Sequence, residues 1–215
     1  MIPIIYENNE ILIINKPAGL AVQGGQGVVH SVDRDFAEQV GYKIYLVHRL
    51  DKDTAGLMVV AKNPVAAGKW TKLIGSKIVK KEYIAICSGS MPSKSGVIKE
   101  AVVQHGDEKA AVTHYQVEKE WTVNVEQEEG VKTIPMTQLR LKLETGRMHQ
   151  IRIHLAKNGC PIAGDDQHGN FKLNKLLKKA CGIKRLQLAA VRLTVPIEGS
   201  EKVFEIPLPF ETRFE

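Results

Sequence analysis

Apolar and polar positions alternate at the start of the chain. Ile2, Ile4 and the run 11–15 are separated by Glu7-Asn8-Asn9-Glu10, which predicts a hairpin ended by Lys16-Pro17-Ala18-Gly19. The period then changes. Val32, Phe36 and Val40 recur every four residues behind Ser31, a side chain able to satisfy the first free N–H groups of a helix. A helix capped by Ser31 and ended at Gly41 is expected. Residues 42–54 carry neither period and read as loop. Residues 55–61 are apolar throughout and read as a buried strand. Asn63-Pro64 supplies a cap and a proline at the first helical position, predicting a helix to about Ile74.

The middle of the chain favours extended structure over 80–88, 97–104, 111–120, 122–126 and 137–143, with a hairpin loop at Gln127-Glu128-Glu129-Gly130. Helices are predicted at 148–158 and 171–181, ended by Gly159 and Gly182, residues suited to a left-handed cap. Strands at 187–195 and 202–206 close the chain. The order is not a repeated βαβ, so the fold class expected is α+β, with a large mixed, mostly antiparallel sheet flanked by helices.

Composition narrows the class. A chain of 215 residues with 43% hydrophobic and 25% charged residues can bury a sizeable core, which excludes long disorder, collagen and coiled coil. Runs such as 57–61 are too short to span a bilayer, and the first residues lack the basic-then-apolar pattern of a secretory signal. No membrane association is expected. Cys87, Cys160 and Cys181 cannot all pair within one chain, and none forms a Cys-x-x-Cys motif. They read as structural thiols of a reducing cytoplasm. The net charge of +6 is uneven. Between Gln138 and Arg192 there are twelve Lys/Arg against three Asp/Glu, a net of +9, while the rest sums to −3. That segment reads either as a polyanion-binding face or as a solvated, lysine-rich surface.

Two polar stretches can carry chemistry. His48-Arg49-Leu50-Asp51-Lys52-Asp53-Thr54 leads into the buried strand 55–61, so its carboxylates sit on a rigid support at the mouth of a loop. Asp51 and Asp53 either pair or, for Asp53 and Thr54, make local turn hydrogen bonds. Gly146-Arg147-Met148-His149-Gln150-Ile151-Arg152-Ile153-His154-Leu155 follows a strand and opens a helix. There Arg152 can offer a carboxylate a forked, permanent cation, or serve in a structural salt bridge. Other chemistries lack their pattern. His149 and His154, five apart, diverge on a helix. Gly24-Gly25-Gln26-Gly27 has neither a phosphate-loop nor a dinucleotide spacing. No Gly-x-Ser-x-Gly elbow occurs.

The motif His48-Arg49-Leu50-Asp51 with Thr54-Ala55-Gly56-Leu57 resembles the signature of the RluA-type pseudouridine synthases. The stretch 146–155 resembles that family's later motif in order and spacing. Asn15-Lys16-Pro17-Ala18-Gly19-Leu20, Lys81-Glu82-Tyr83, Ala111-Val112-Thr113-His114-Tyr115 and Pro161-Ile162-Ala163-Gly164-Asp165 fit as well, so the resemblance runs through residues 15–192. Three neighbours depart from the family pattern. Ala55 stands where serine is usual, Met148 where threonine or serine is usual, and Ala189 where histidine is frequent.

The resemblance implies a pseudouridine synthase-like catalytic domain over 1–215, without a separate N-terminal RNA-binding domain. It implies an isomerase acting on uridines of structured RNA, ribosomal RNA of the large subunit or transfer RNA; a monomer is taken as the default, in the cytoplasm that the cysteines suggest. By that match Asp51 is the catalytic carboxylate, Arg152 its ion-pair partner, and Tyr83 the ring against the uracil. Arg49 enters the RNA stack. RNA contact is also expected from His48, Arg147, His149, Gln150 and Lys16, although Lys16, His48, His149 and Gln150 more often serve as a hydrogen-bonding scaffold in such motifs. The reaction detaches uracil from its ribose, rotates it and reattaches it through carbon five. Nothing is exchanged with a cofactor or metal, so none is expected. Asp51 can act as nucleophile or as base. The uridine must first leave the stack, at a few kcal/mol, and stacking on an aromatic ring can return about 1–3 kcal/mol. Two other classes compete: a catalytically silent RNA-binding factor, and a metal-dependent hydrolase built on His48, Asp51, His149 and His154.

Overall fold

The computed structural model describes residues 1–104, 106–128 and 130–210. In chain order the elements are β1 (Ile4–Glu7), β2 (Ile11–Lys16), α1 (Ala37–Val40), β3 (Tyr45–Leu46), β4 (Ala55–Ala61), α2 (Pro64–Gly75), β5 (Lys80–Ser88), β6 (Ser95–Ile98), β7 (Val102–Gln104) and β8 (Asp107–Lys109). Then follow β9 (Thr113–Gln127), β10 (Gly130–Leu143), α3 (Gln150–Lys157), α4 (Phe171–Cys181), β11 (Leu188–Ile197) and β12 (Ser200–Glu205). The class is α+β, as expected. The chain divides into two compact units, 1–81 with 189–209, and 82–188 with Phe210 among the described residues.

In the first unit β4 is central. It pairs antiparallel with β2 along one edge, from Ile11↔Ala61 to Lys16↔Gly56. Its other edge takes the start of β11 in parallel and β3 antiparallel. All seven residues of β4 are buried, which is why they are apolar without alternation. At Gly56 the backbone has φ +113°, and an added Cβ would lie 2.2 Å from the Ala190 carbonyl oxygen, so only glycine fits. β1 and β2 make the expected hairpin, and β12 pairs β11. Asn63 caps α2 through Ala66 N–H at 2.9 Å, with Pro64 in the first turn. The cap expected of Ser31 is absent. Its hydroxyl instead donates to Asp33 Oδ1 at 2.5 Å, and Val32–Phe36 forms a widened π-type turn before α1. Val32 and Phe36 are buried, and the helix ends on Gly41 at φ +77° as predicted.

In the second unit β5, β10, β9 and β6 pair antiparallel in that order. β9 and β10 form one long hairpin, with Gln127 opposite Gly130; Glu129 of the expected loop lies outside the described residues. Two strands expected at 111–120 and 122–126 are therefore one, and β10 begins seven residues before its expected start at Thr137. The distal hairpin alternates, with Trp121, Val123, Val125, Ile134 and Met136 on the core face and exposed side chains between them. The stretch 97–104 divides. β6 joins β9, whereas β7 leaves to pair with β8. The core of this unit joins Ile86, Val125, Ile134, Met136 and Ala163 to Leu177 of α4. Cys87 and Cys160 are buried free thiols, as expected; Cys181 is half-buried. No helix among the described residues is long and apolar enough to cross a membrane.

Candidate active site

In the first unit the loop bearing Asp51 hangs from a buried lysine. Lys16, at the end of β2, is wholly enclosed, and its three ammonium protons go to Leu20 O at 2.8 Å, Lys52 O at 2.9 Å and Pro17 O at 3.0 Å. Gly19 N–H donates to the same Lys52 carbonyl at 2.9 Å. Burial lowers the Lys16 pKa to about 8, opposed by the charges of Asp53 and Asp51. Lys16 thus joins the Lys16-Pro17 turn to the residue next to Asp51. Its role is positional, since every proton is spent on main-chain oxygen. Thr54 N–H closes the turn on Asp51 O at 3.2 Å. The expected side-chain hydrogen bond of Thr54 is not made. Its buried hydroxyl finds no partner among the described residues.

The His48 Nε2 accepts from Val59 N–H at 2.9 Å, so that nitrogen carries no proton and the ring is the neutral Nδ1–H tautomer. Burial pushes its pKa well below the usual value, and Lys81 adds to the effect. His48 pins the loop to β4. Arg49 is exposed, and Asp51 and Asp53 are half-buried. The loop is therefore fixed through its backbone and its histidine, with Leu50 and Thr54 buried, Arg49 and Lys52 exposed and the two carboxylates half-buried. Two departures from the family pattern meet here, for Ala55 and Ala189 are register partners across β4 and β11, and both are buried. The two missing polar groups are replaced by apolar contact on both sides at once.

In the second unit Tyr83 lies on β5 opposite Leu141, and it is buried. The helix of the later motif begins two residues after the expected Met148. His149 takes a left-handed conformation, φ 54°, at its start. Gln150 explains this start. Its Oε1 accepts from Thr145 Oγ1 at 2.7 Å and Arg147 N–H at 3.0 Å, and its Nε2 donates to Val112 O and Thr113 Oγ1, both at 3.0 Å. One amide thereby folds the 145–147 turn and ties it to the start of β9. The chain of donors continues. Thr113 Oγ1 is 2.9 Å from His154 Nδ1, and His154 Nε2 gives its proton to Glu100 O at 2.9 Å. Burial lowers the His154 pKa, consistent with a neutral ring in this enclosed site. Gln150 and His154 are thus framework. Arg147 is exposed, with its Nε on Ala110 O at 3.1 Å.

Arg152 is 3% exposed, and its Nε and Nη2 grip Asp165 at 2.8 and 2.7 Å. Burial raises the Asp165 pKa, but Arg152 and the N–H groups of His168 and Gln167 outweigh it, so the net shift is downward. The structural salt bridge weighed from the sequence is therefore present, with Asp165 as its acid. A guanidinium has five donors, and two serve this contact. Asp165 is the main residue that sequence reasoning gave no role. Its one signal was its place at the end of the 161–165 motif. It also organises the turn that brings His168 Nε2 to 2.9 Å from His149 Nδ1. Among the described residues no group of three or more His, Cys, Asp or Glu is placed to hold a metal ion. His149 and His154 each bond elsewhere.

Comparison with known proteins agrees with the motifs. The family described as RNA pseudouridylate synthase matches residues 10–157. Ribosomal large subunit pseudouridine synthase C of Rickettsia bellii is 38% identical over 96% of this chain and 68% of its own length. Ribosomal large subunit pseudouridine synthase D of Haemophilus influenzae is 34% identical over 96% and 67%. Among solved structures, human RNA pseudouridylate synthase domain containing 4 aligns with a TM-score of 0.72 at 26% identity, covering 96% of this chain and 88% of that one. Human RNA pseudouridylate synthase domain containing 1, at 23% identity and a TM-score of 0.75, shares the fold. Fold and motifs together define an RNA-modifying isomerase. The chain belongs to the RNA pseudouridylate synthase family.

Proposed function

We propose that this chain converts uridines of large-subunit ribosomal RNA to pseudouridine, with Asp51 as the reacting carboxylate. By the family motif Arg152 supplies the guanidinium of the site, and Tyr83 the ring that receives the uracil. The observation that carries the reading is the Asp51 loop itself. A half-buried carboxylate stands on a turn whose main chain is fixed by Lys16 and His48, so the acid can meet a sugar without reorganisation. Arg49, exposed two residues earlier, is suited to the gap left by an extruded base. The assignment of ribosomal RNA follows from what the two bacterial relatives are named for. The family match takes in residues of both units, in keeping with reading them as one catalytic domain.

The test is release of tritium from uridine labelled at carbon five in a large-subunit ribosomal RNA transcript. Release is expected with the wild type, and a fall of about 10⁴-fold or more with Asp51→Asn. Release from transfer RNA alone would move the substrate to that class. No release from either RNA would leave the silent RNA-binding reading, and release untouched by Asp51→Asn would remove the carboxylate from the reaction.

A further inference from the structure

Several surface lysines have an acidic partner, as Lys62 has Glu7, Lys69 has Glu10, Lys80 has Glu201 and Lys94 has Glu120. Helix α4 stands in a stretch that offers none. No Asp or Glu occurs anywhere from residue 167 to 197. Lys172, Lys175, Lys178 and Lys179 are exposed, and none makes an ion pair with a described residue. At about 100° per residue the four fall within an arc of about 120°. Leu173, Leu176 and Leu177 occupy the opposite side and pack into the core. Lys178 and Lys179 suit the negative end of a helix, but Lys172 sits at the positive end, where a cation costs the helix stability. Helix stability therefore does not explain the stripe.

A second observation lies on the same arc. Phe171, the first residue of α4, is 58% exposed. An aromatic ring in water among cations offers a base a stacking surface. The helix is also rigidly mounted. Asn170 accepts from Leu173 N–H at 3.1 Å, and Gly182 ends the helix in a left-handed cap. Asn174 accepts from Gly164 N–H at 3.0 Å and donates to Asp165 O at 2.8 Å. One side chain thus fastens α4 to the residue that grips Arg152.

We propose that α4 is an RNA-docking arm: its lysine stripe follows the phosphates of a substrate segment lying outside the reacting uridine, and Phe171 stacks on an unpaired base of that segment. Because Asn174 joins α4 to Asp165, RNA held on the arm is held at a set distance from Arg152. The proposal rests on RNA being the substrate and deepens it by naming where an unpaired stretch is read.

The experiment separates bases from phosphates. Binding is measured to a uridine oligomer of about 12 nucleotides and to an abasic oligomer with the same phosphates. Phe171→Ala is expected to weaken the uridine oligomer about fivefold or more and leave the abasic one unchanged, with no change in salt dependence. The combined Lys→Gln replacement of the four lysines is expected to weaken both and to reduce the slope of log K against log salt by about 3. In the tritium assay both variants should raise KM and keep kcat, because neither touches the reacting groups. Equal effects of Phe171→Ala on the two oligomers, or an unaltered salt slope in the lysine variant, would overturn the proposal. If the wild type releases tritium while the variants bind normally, the arm alone is refuted. If the binding pattern holds without tritium release, the arm stands and the catalytic reading falls.

Discussion

The Asp51 loop and the Arg152 helix solve the same task in opposite ways. Around Asp51 the main chain is held: one buried ammonium gathers three carbonyl oxygens, and a histidine takes a strand N–H. The functional side chains of that loop stay partly open to solvent. Around Arg152 the functional side chain itself is gripped, by a carboxylate that also caps two N–H groups. The Asp51 carboxylate is placed through its backbone, and the Arg152 guanidinium through its own donors. The first arrangement makes loop position depend on a buried cation without a paired anion, and the second makes it depend on an ion pair.

The contrast can be broken most forcefully at Asp165. Replacing one member of a buried ion pair leaves the other uncompensated, so Asp165→Asn is expected to lower stability by about 3–5 kcal/mol, read by urea unfolding. Asp165 has a lowered pKa, so its contribution is present above the ordinary value of 3.8 and lost as pH falls through the lowered one. The gap between wild type and variant should therefore close in acid. A gap that persists there would mean the carboxylate charge is not what holds Arg152.

Lys16 should show a dependence of the same sign in an alkaline window. Its folded pKa is about 8 against an ordinary 10.5, so between those values the unfolded chain binds more protons and stability rises with pH. The rise across that window amounts to about 3 kcal/mol. It should be visible as the difference between wild type and Lys16→Met in unfolding at successive pH values. A difference that stays flat from pH 8 to 10.5 would show that the ammonium is not desolvated. Gln150→Leu should cost less, about 2 kcal/mol, since it removes neutral hydrogen bonds but strands Arg147 N–H. The smallest effect is at Thr54. Exchanging its unsatisfied hydroxyl for a methyl group in Thr54→Val should change stability by less than about 1 kcal/mol, in the favourable direction. A loss larger than that would reveal a partner for the hydroxyl and tie Thr54 to the clamp.

Much of the fold was legible locally. β4 announced itself by unbroken apolar residues, α2 by Asn63-Pro64, and the end of α4 by Gly182. The misreadings fall where a particular side-chain hydrogen bond decided. Ser31 had the right chemistry for a cap, but the nearby Asp33 carboxylate took its proton. Residues 148 and 149 have ordinary helix propensity, yet Gln150 bonds to Thr145 and Arg147 and delays the helix. Nothing local to Asp165 shows that it faces Arg152, thirteen residues away in sequence.

The amino-acid order alone therefore determined the kinds of element, their approximate limits and the residue types on which the chemistry rests, because propensity, period and capping act over a few neighbouring residues. Tertiary structure decided what each polar group is bonded to. The ammonium of Lys16, the amide of Gln150 and the carboxylate of Asp165 are committed to main-chain and side-chain partners brought together by folding, and a buried polar group takes whichever partner lies within about 3 Å of it, however far along the chain that partner is.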